Sequence, residues 1–584
     1  MTLSVHDTLG GGQFLTQPAR AEEVFIREDL TEEQRMFGQT AAEFMRHEVL
    51  PREEALYAHD WTLTRELLRK AASLDLTRLE IPATYGGLEL DKISAAYVGE
   101  QISVNPSFAG SLGAHTSIGT LPLVYFGTDE QKTRYLPRLA SAELIGAYAL
   151  TEPGAGSDAL AARTTARLSP DGRHYLLNGQ KMWITNGGFA DLFTVFAKVD
   201  GERFTAFLVE RRMGIVSGAD ERKLGLDGSS TTAVMLDNVA VPVENVLGAI
   251  GEGHKVAFNV LNVGRVKLGT RNITGAKRAV DQAVGYARDR HQFGRPIAEF
   301  GLIKQKLGEM TLRCWVGDAM VYRALGDVDR ALESLTATDA QGALKTIETF
   351  AIECSINKVW TSETLAFAVD EAVQIFGGNG YSREFPVERG YRDARITRIY
   401  EGTNEINRLI VPTRLVKRAP ELFTRERARR ALSERAPEPV HGPLATERVL
   451  LADAKRLAIA ALGYAVDAYG DGLKEEQELL GHAADMVMEI YAIESAVARA
   501  EKLFGRDAAR GGIGVDIARI YTNDAADRIA MSAKRIVAAL LARGMACADL
   551  AEAAGRAAAR SSIDTIAARR AIADVAIRAG RYPF

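Results

Sequence analysis

The sequence predicts an α+β protein that is mostly α-helical, with one β domain inside it. Long helix-compatible segments lie on both sides of residues 146–252, whereas that region holds short runs of β-branched and aromatic residues. Asn-Gly, Asp-Gly and Gly-Gly pairs separate several of these runs, which is typical of hairpin turns. The length of 584 residues exceeds what one hydrophobic core organises, so we expect roughly three or four structural units.

Changes in composition indicate where these units begin and end. Residues 1–20 contain three consecutive glycines and Pro18 without apolar periodicity, which predicts a loosely held arm. Thr31 and Gln34 form a capping-box pattern at the start of the first helical region. The expected units are an N-terminal arm (1–30), an N-terminal helical domain (31–145), a central antiparallel β-barrel or sandwich domain (146–252), a helical bundle (253–417), a linker (418–445) and an extra C-terminal helical domain (446–584).

Three shorter patterns refine this division. Residues 256–290 fit one long helix, with Gly264 and Gly269 as points of close packing. Clustered prolines and an Arg-, Glu- and Ala-rich composition predict the linker. The strand candidates of the central domain are residues 147–152, 174–179, 182–187, 192–199, 204–210 and 231–241.

Composition excludes several function classes. A net charge of −4 and a pI near 6.2 give no reason to expect nucleic acid as the main partner. Cys314, Cys354 and Cys547 have no metal-ligand or redox spacing and are expected to be buried thiols in a reducing compartment. Because the first residues lack a basic stretch followed by an apolar one, and no apolar run is long enough to span a bilayer, we expect a cytoplasmic protein.

The function hypothesis depends on a carboxylate in residues 393–409, DARITRIYEGTNEINRL. Glu401 precedes Gly402, and a glycine there lets the backbone approach a ligand or take a left-handed turn. A carboxylate on such a turn, between two helical segments, could be directed into a cleft. A surface acid beside a helix-capping glycine is equally compatible with these residues alone.

Two glycine-containing segments of the central domain carry hydrogen-bond donors. In TEPGAGSD (151–158) the glycines let backbone amides approach a phosphate or a carbonyl, and Thr151 adds a hydroxyl. MWITNGG (182–188) offers Trp183 as a flat stacking surface beside Thr185. Read alone, a Gly-rich turn and a core tryptophan in a hairpin are the favoured interpretations.

Two further segments lie in the helical bundle. DRHQFGRP (289–296) ends a helix, and a solvated helix end is its simplest interpretation. QIFGGNG (374–380) follows a helix and not a strand, so it fails the structural context of a dinucleotide-binding fingerprint.

Together and in this order, these segments resemble those of the acyl-CoA dehydrogenase family, over residues of about 30–415. YALTEPGAGSD, KMWITNGG, RHQFGRP, QIFGGNGY and IYEGTNEI all occur in the family's order and at family-like distances. The C-terminal helical region and the phrases LGAHTSIG and FGTDEQKTRYLPRLAS look closest to the very-long-chain branch. The independent order of helical, β and helical segments agrees with the resemblance.

The resemblance implies a FAD site between the β domain and the second helical unit. Thr151 and Thr185 would donate to the polar edge of the flavin. The segment around Phe293 would reach the far end of FAD from a neighbouring subunit, which requires at least a homodimer. The implied FAD contacts are Tyr148, Leu150, Thr151, Gly156, Ser157, Trp183, Ile184, Thr185, Arg290, Gln292, Phe293, Gln374, Ile375, Gly377, Gly378, Thr403 and Glu405.

The resemblance also implies the reaction, the α,β-dehydrogenation of acyl-CoA to trans-2-enoyl-CoA in fatty acid β-oxidation. Glu401 would remove the α-proton, and electrons would pass to electron-transfer flavoprotein. Some family members place the base at the position matching Gly264, where glycine cannot supply one, so Glu401 is the candidate. The implied acyl-CoA contacts are Ser157, Asn262, Arg265, Tyr400 and Gly402.

Chain length is less constrained by the residues. In the family a helix here at about 98–112 lines the acyl pocket, and its small residues leave room for a long tail or allow close helix packing. Those small residues are Ala109, Gly110, Ser111 and Gly113. Long-chain acyl-CoA is the leading hypothesis.

Alternatives stay open for the whole protein. An acyl-CoA oxidase would pass electrons to oxygen, and a non-catalytic relative would carry flavin as a scaffold or assembly factor. In the family the C-terminal region supports the dimer and contacts membrane. Residues 418–435 are basic but have little apolar area, so a solvated linker is favoured over peripheral contact with the inner face of a membrane.

Overall fold

The computed structural model describes residues 10–333, 335, 339–434, 442–559 and 563–584, with only the backbone of 340, 341 and 510. The described chain forms two compact units. The sheet unit contains Leu30–Gly275 and Val328–Glu348, and the helical unit contains the residues up to Asp29 together with Ala276–Asp327 and Thr349–Phe584.

The sheet unit begins with short helices. The predicted capping box is confirmed, because Thr31 Oγ1 accepts from the backbone N–H of Gln34 at 3.2 Å and the Gln34 side chain accepts from Thr31 N–H at 3.0 Å. The helix expected over 98–112 is instead two helices, since Asn105 caps a new helix by accepting the Phe108 N–H. The helices are α1 (Glu32–Phe44), α2 (Glu53–Tyr57), α3 (Trp61–Ser73), α4 (Lys92–Ile102), α5 (Pro106–Gly113), α6 (Leu121–Phe126) and α7 (Asp129–Ala140).

An eight-stranded sheet follows, with the strands β1 (Gly146–Ala149), β2 (Thr165–Leu168), β3 (His174–Thr185), β4 (Leu192–Val199), β5 (Arg203–Glu210), β6 (Val216–Asp220), β7 (Thr231–Pro242) and β8 (Val246–Leu247). Their order in the sheet is β6-β7-β3-β2-β4-β5-β8, with β1 paired to β4. The sheet is mixed and not purely antiparallel, because β1 and β2 each pair with β4 in parallel. β4 is buried along nearly its whole length, which explains its continuous apolar run.

The strands predicted at 174–179 and 182–187 are one strand, β3. The Asn178-Gly179 pair forms no hairpin turn there, and the register against β7 shifts at this point instead. Asn178 Oδ1 accepts the backbone N–H of Asn238 on β7 at 2.9 Å. The Asn-Gly pair therefore belongs to a β-bulge that is matched by an irregular residue on the partner strand.

A long helix, α8 (Gly253–Asp289), follows the sheet as predicted, and the short hairpin β9 (His291–Gln292) and β10 (Arg295–Pro296) follows it. In the helical unit, helices before and after residue 418 share one hydrophobic core. This core includes Val411, Leu415, Tyr464, Ala484 and Tyr491. The remaining helices are α9 (Gly301–Leu332), α10 (Ala340–Thr349), α11 (Ala351–Phe376), α12 (Pro386–Ala394), α13 (Asn404–Arg418), α14 (Arg425–Ser433), α15 (Ala445–Tyr469), α16 (Gln477–Arg506), α17 (Ala508–Ala542), α18 (Ala548–Ala558) and α19 (Thr565–Ala579).

Two segments expected to be loosely held are packed instead. The expected linker 418–445 contains α14, in which Ala428 and Ala431 are buried. Residues 435–441 lie outside the described chain. The arm residues from 10 onward also pack: the Phe14 ring meets Tyr491 edge-on, with ring centroids 5.0 Å apart. A Cβ at Gly11 would lie 1.9 Å from the Thr349 carbonyl oxygen, so this close approach requires glycine. Residues 1–9 are outside the described chain.

Among the described residues, no helix combines the length and the apolar character needed to cross a membrane. The predicted domain boundaries stay a prediction.

A buried histidine fixes the start of β1. His115 Nε2 lies 3.0 Å from the Leu139 carbonyl oxygen, and the N–H of Gly146 donates to its Nδ1 at 3.0 Å. The second contact requires Nδ1 without a proton, so the ring is the neutral tautomer with Nε2 protonated. Burial lowers the pKa of His115 to about 4.

This setting predicts a loss of stability in mild acid. An unfolded histidine takes up a proton near pH 6.5, whereas folded His115 resists protonation until about pH 4. Its contribution is therefore fully present above the unfolded pKa and declines as pH falls, by about 2 kcal/mol between pH 7 and pH 5. Urea unfolding at both pH values should show a smaller pH-dependent loss for His115→Asn than for the unmodified protein. Equal losses in the two proteins would contradict this assignment.

Candidate active site

The turn before α13 has unusual backbone geometry. Glu401 has φ 56° and Gly402 has φ 79°, so both lie in the left-handed region. A non-glycine residue with such a φ is strained, and strain of this kind clusters at functional sites. The structure thus confirms the left-handed turn that the Glu-Gly pair allowed, although the strain falls on the acid as well as on the glycine.

Two buried side chains hold this turn. Asn407 donates through Nδ2 to the carbonyl oxygens of Glu401, Gly402 and Thr403, at 3.3, 2.8 and 3.0 Å. Lys358 on α11 donates through Nζ to the Gly402 carbonyl oxygen at 2.7 Å. The strained conformation is therefore over-determined by hydrogen bonds to its own carbonyl groups.

The sequence analysis missed both residues. Lys358 is fully buried, and it stands in a mainly apolar stretch of a long helix, where a lysine is unusual. That mismatch of one lysine with an apolar helix was the available signal. Asn407 carried no comparable signal, because an asparagine in the second turn of a helix is ordinary.

In the sheet unit, the end of β3 presents an indole to solvent. Trp183 has φ 61° and is 54% exposed, at an irregularity between Lys181 and Ile184 in the pairing of β3 with β7. The core-tryptophan alternative is therefore wrong. The N–H of Met182 donates to the Thr151 carbonyl oxygen at 2.9 Å, which ties this strand end to the loop after β1.

A buried ion pair lies beneath both segments. Lys181 is fully buried, and its Nζ donates to Glu152 Oε1 at 2.7 Å and to the Leu150 carbonyl oxygen at 3.3 Å. Glu152 also accepts the backbone N–H groups of Arg163 and Thr164. Burial works to raise the pKa of the Glu152 carboxyl, but the Lys181 ammonium and these hydrogen bonds outweigh it and hold the pKa below its usual range.

Four family models match the chain, and together they cover well over half of it. They are the N-terminal domain (31–143), the middle domain (147–239) and the C-terminal domain (251–416) of acyl-CoA dehydrogenases, and a further C-terminal domain model of the same enzymes (453–546).

The chain belongs to the acyl-CoA dehydrogenase family. A probable acyl-CoA dehydrogenase of Bacillus subtilis is 45% identical over 551 residues, covering 92% of this chain and 93% of its own length. The structure of an acyl-CoA dehydrogenase from Bacillus anthracis, complexed with FAD, has a TM-score of 0.95 and 41% identity, and the match covers 98% of this chain and 99% of that chain. Human very long-chain specific acyl-CoA dehydrogenase is 43% identical over 344 residues, 57% of this chain and 50% of its own length.

Membership of this family confirms three predictions: the fold class, the oxidoreductase activity and the FAD cofactor. The resemblance to the very-long-chain branch is confirmed by relatives from several mammals. The site residues carried over from the resemblance stay predictions.

The predicted FAD residues of the sheet unit fall into two groups. Thr151, Gly156, Ser157, Trp183 and Thr185 are at least partly exposed. The side chains of the others are buried, so these residues have only backbone groups to offer: Tyr148, Leu150 and Ile184.

The predicted residues of the helical unit are mostly at the surface. Phe293, in the hairpin of β9 and β10, is 93% exposed, and Arg290 and Gln292 beside it are exposed too. Gln374, Gly377 and Gly378 are exposed where α11 ends, whereas Ile375 is buried in the core. Thr403 caps α13 by accepting the N–H of Ile406, and Glu405 is exposed in the first turn.

These groups suit a large planar cofactor with a diphosphate. A flat exposed indole, hydroxyl donors and open backbone amides are what such a molecule needs. At Gly154, Gly156, Gly377 and Gly378 an added Cβ would meet nothing within 4 Å, so the backbone there is open to approach. In each unit taken by itself, the exposed groups are therefore of the kinds that can contact FAD.

The predicted acyl-CoA residues Asn262 and Arg265 behave differently. Both are buried on α8, and Arg265 Nη1 donates to Asn262 Oδ1 at 2.9 Å. Tyr400 is 38% exposed and Gly402 is half-buried.

The ion pair beneath Trp183 predicts how FAD binding responds to mutation. Lys181→Met removes the ammonium and leaves the Glu152 carboxylate buried without its charge partner, which costs about 3–5 kcal/mol of folding free energy. Since the pair connects the loop after β1 to β3, we expect FAD to dissociate at least about tenfold more readily, as measured by flavin fluorescence.

Lys198→Met on β4 is the matched control, because it removes a half-buried ammonium elsewhere in the sheet. Lys181→Met with unchanged FAD affinity would contradict the positioning of these segments by the pair. Adding Glu152→Gln to Lys181→Met should recover part of the stability.

Proposed function

We propose that this chain dehydrogenates acyl-CoA between Cα and Cβ, yielding trans-2-enoyl-CoA, with Glu401 as the catalytic base. The strained turn that carries Glu401 supports this assignment, because a buried lysine and a buried asparagine donate hydrogen bonds to the backbone carbonyl groups of that turn. Gly264, at the alternative family position, has no side chain to act as a base.

The chemistry sets what these residues do. The α-proton of a thioester is weakly acidic, so its removal needs a positioned base within hydrogen-bond reach. Glu401 takes that proton, and FAD, when bound, would supply the acceptor for the hydride that leaves Cβ. Hydrogen-bond donors at the thioester oxygen stabilise the charge that develops there as the proton leaves.

The remaining site residues are assigned by the same proposal. Ser157, Asn262, Arg265, Tyr400 and Gly402 contact the acyl-CoA, and the sheet-unit and helical-unit residues named above contact FAD. Arg265 and Asn262 are buried and bonded to each other, so they form a rigid polar pair for the substrate.

Removal of the base gives the decisive test. Glu401→Gln keeps the size of the side chain but cannot accept the proton, and we expect turnover to fall by about 10²–10⁴-fold. The measurement is the bleaching of flavin absorbance when the purified protein is mixed anaerobically with acyl-CoA. Glu421→Gln, an exposed acid just beyond α13, is the control and should bleach normally. Normal bleaching by Glu401→Gln would overturn the base assignment.

We propose a long acyl chain as the preferred substrate. The matches to very long-chain specific enzymes support it. The small residues of α5 do not decide the matter, because a Cβ at Gly113 would lie 2.0 Å from the Arg271 guanidinium, so close packing already fills that space. A cavity next to these residues is lined by Ala109 and Leu112 of α5.

The substrate prediction is tested by comparing acyl-CoA chain lengths. Palmitoyl-CoA should give a kcat/KM at least about tenfold above that of butyryl-CoA, because each buried methylene contributes about 0.8 kcal/mol. A maximum at four to six carbons, with no turnover at sixteen, would contradict it.

We further propose that electrons pass to electron-transfer flavoprotein within fatty acid β-oxidation, in the cytoplasm. This proposal is supported by a solved structure of the electron transferring flavoprotein of Acidaminococcus fermentans, in which one chain is 35% identical to this one with a TM-score of 0.60. Reduction of that acceptor and not of oxygen separates the dehydrogenase from the oxidase alternative.

The exposed hairpin at Phe293 supports a homodimer, which sedimentation would test.

A further inference from the structure

We infer that the C-terminal helices position the catalytic base: Asp485 on α16 and Arg408 on α13 anchor a polar relay that ends at the Glu401 turn. The inference rests on the proposed role of Glu401 and assigns a function to the helices beyond α14. All residues of the relay lie in the helical unit. In order, they are Asp485, Arg408, Glu363, Asn404, Lys358 and the carbonyl group of Gly402.

The relay begins where α13 lies between α16 and α11. Arg408 Nε donates to Asp485 Oδ1 on α16 at 2.8 Å. Its two Nη groups donate to the two oxygens of Glu363 on α11, at 2.6 and 2.9 Å. A planar guanidinium bonded on two edges has one orientation, so the bidentate contact to Glu363 and the contact to Asp485 fix each other.

Asn404 carries the relay from Glu363 to the lysine. Its Nδ2 donates to Glu363 Oε1 at 3.1 Å, and its Oδ1 accepts from Lys358 Nζ at 2.7 Å. An amide has separate donor and acceptor ends, so a carboxylate at one end and an ammonium at the other leave it a single orientation. Asn404 is buried, and it is the first residue of α13.

The last contact of the relay reaches the turn that carries Glu401. Lys358 Nζ donates both to Asn404 and to the Gly402 carbonyl oxygen, each at 2.7 Å. The ammonium can satisfy both acceptors only while Asn404 stays in place. A shift of Arg408 would therefore pass through Glu363 and Asn404 to the peptide group between Gly402 and Thr403, one residue beyond Glu401.

Packing makes α16 a firm anchor for this relay. Ala483, Ala484 and Val487 of α16 belong to the same core as Val411 of α13 and Ile356 of α11. The Asp485 carboxyl is only partly buried, and this partial burial raises its pKa despite the Arg408 charge beside it. Asp485 is thus held by the packing of its helix and also contributes a specific hydrogen bond to α13.

The test compares two Asp→Asn substitutions in the holoenzyme. Asp485→Asn weakens the relay at its anchor. Asp524→Asn is the matched control, because Asp524 on α17 pairs with Arg569 on α19 and is likewise part-buried, but has no contact with the relay among the described residues. Asp485→Glu is the conservative variant, and Arg408→Lys is a second disruption that keeps the charge but loses the bidentate contact.

Two readouts separate positioning from simple destabilisation. The first is the division of the effect between kcat and KM for palmitoyl-CoA. The second is the long-wavelength absorbance band formed with an acyl-CoA analogue that has sulfur in place of Cβ. This analogue gives up its α-proton but has no β-hydride, so the band reports deprotonation by the base alone.

We expect Asp485→Asn to lower kcat about five- to tenfold and to weaken the absorbance band, with KM and FAD content within about twofold of the unmodified protein. Arg408→Lys should behave similarly, and Asp485→Glu should recover most of the activity. The control should change the melting temperature by a similar amount without lowering kcat.

Equal kcat values and equal bands for Asp485→Asn and Asp524→Asn, with Glu401→Gln inactive, would overturn the relay alone. Turnover by Glu401→Gln would instead overturn the base assignment and the relay with it.

Discussion

The buried ammonium of Lys358 is the interaction on which the candidate site depends. A charge removed from water is tolerated only when polar groups surround it. The groups around the Lys358 ammonium include the Gly402 carbonyl group and the Asn404 amide. Both acceptors lie at the junction of the strained turn and α13. The energy gained by satisfying the lysine is therefore available to hold Glu401 at a positive φ that the residue would otherwise avoid.

The sheet unit uses the same device beneath Trp183. Lys181 is fully buried and paired with Glu152, and two residues further on Trp183 also has a positive φ. In both units a buried lysine holds a short segment. That segment contains a residue whose backbone is strained and whose side chain is at least partly accessible. A rigid backbone under an accessible group is what cofactor binding and proton transfer require, because loosely held groups lose most of their catalytic advantage.

The sequence predicted elements well where a single local pattern dominates. The buried run of β4 and the periodicity of α8 were found with nearly correct ends. The prediction was wrong at Asn178-Gly179 because a turn signal gave way to pairing with β7, a contact distant in sequence. Within 418–445 the sequence did not predict α14, because the residues that this helix fully buries are the two alanines Ala428 and Ala431, which give little signal.

The same limit separates the two kinds of site residue. Glu401, Trp183 and Thr151 stand in motifs whose letters are contiguous, so the sequence alone could suggest them. Lys358 and Asp485 lie about 40 residues before and 80 residues after the base, and their roles depend on which helices pack together. A relay across three helices has no local sequence pattern, so only the fold could reveal it.

The relay would be ineffective if α16 were free to shift, and its other charges show why it is not. Glu494 pairs with Arg323 of α9 and with Lys455 of α15, and it accepts the backbone N–H of Ala19 from the N-terminal arm. Arg499 pairs with Glu28 of the same arm. Because breaking one partner of a buried ion pair costs several kcal/mol, α16 is tied on three sides along its second half. Its first half can then present Asp485 to α13 as a fixed point, which is what the proposed positioning of Glu401 by α16 requires.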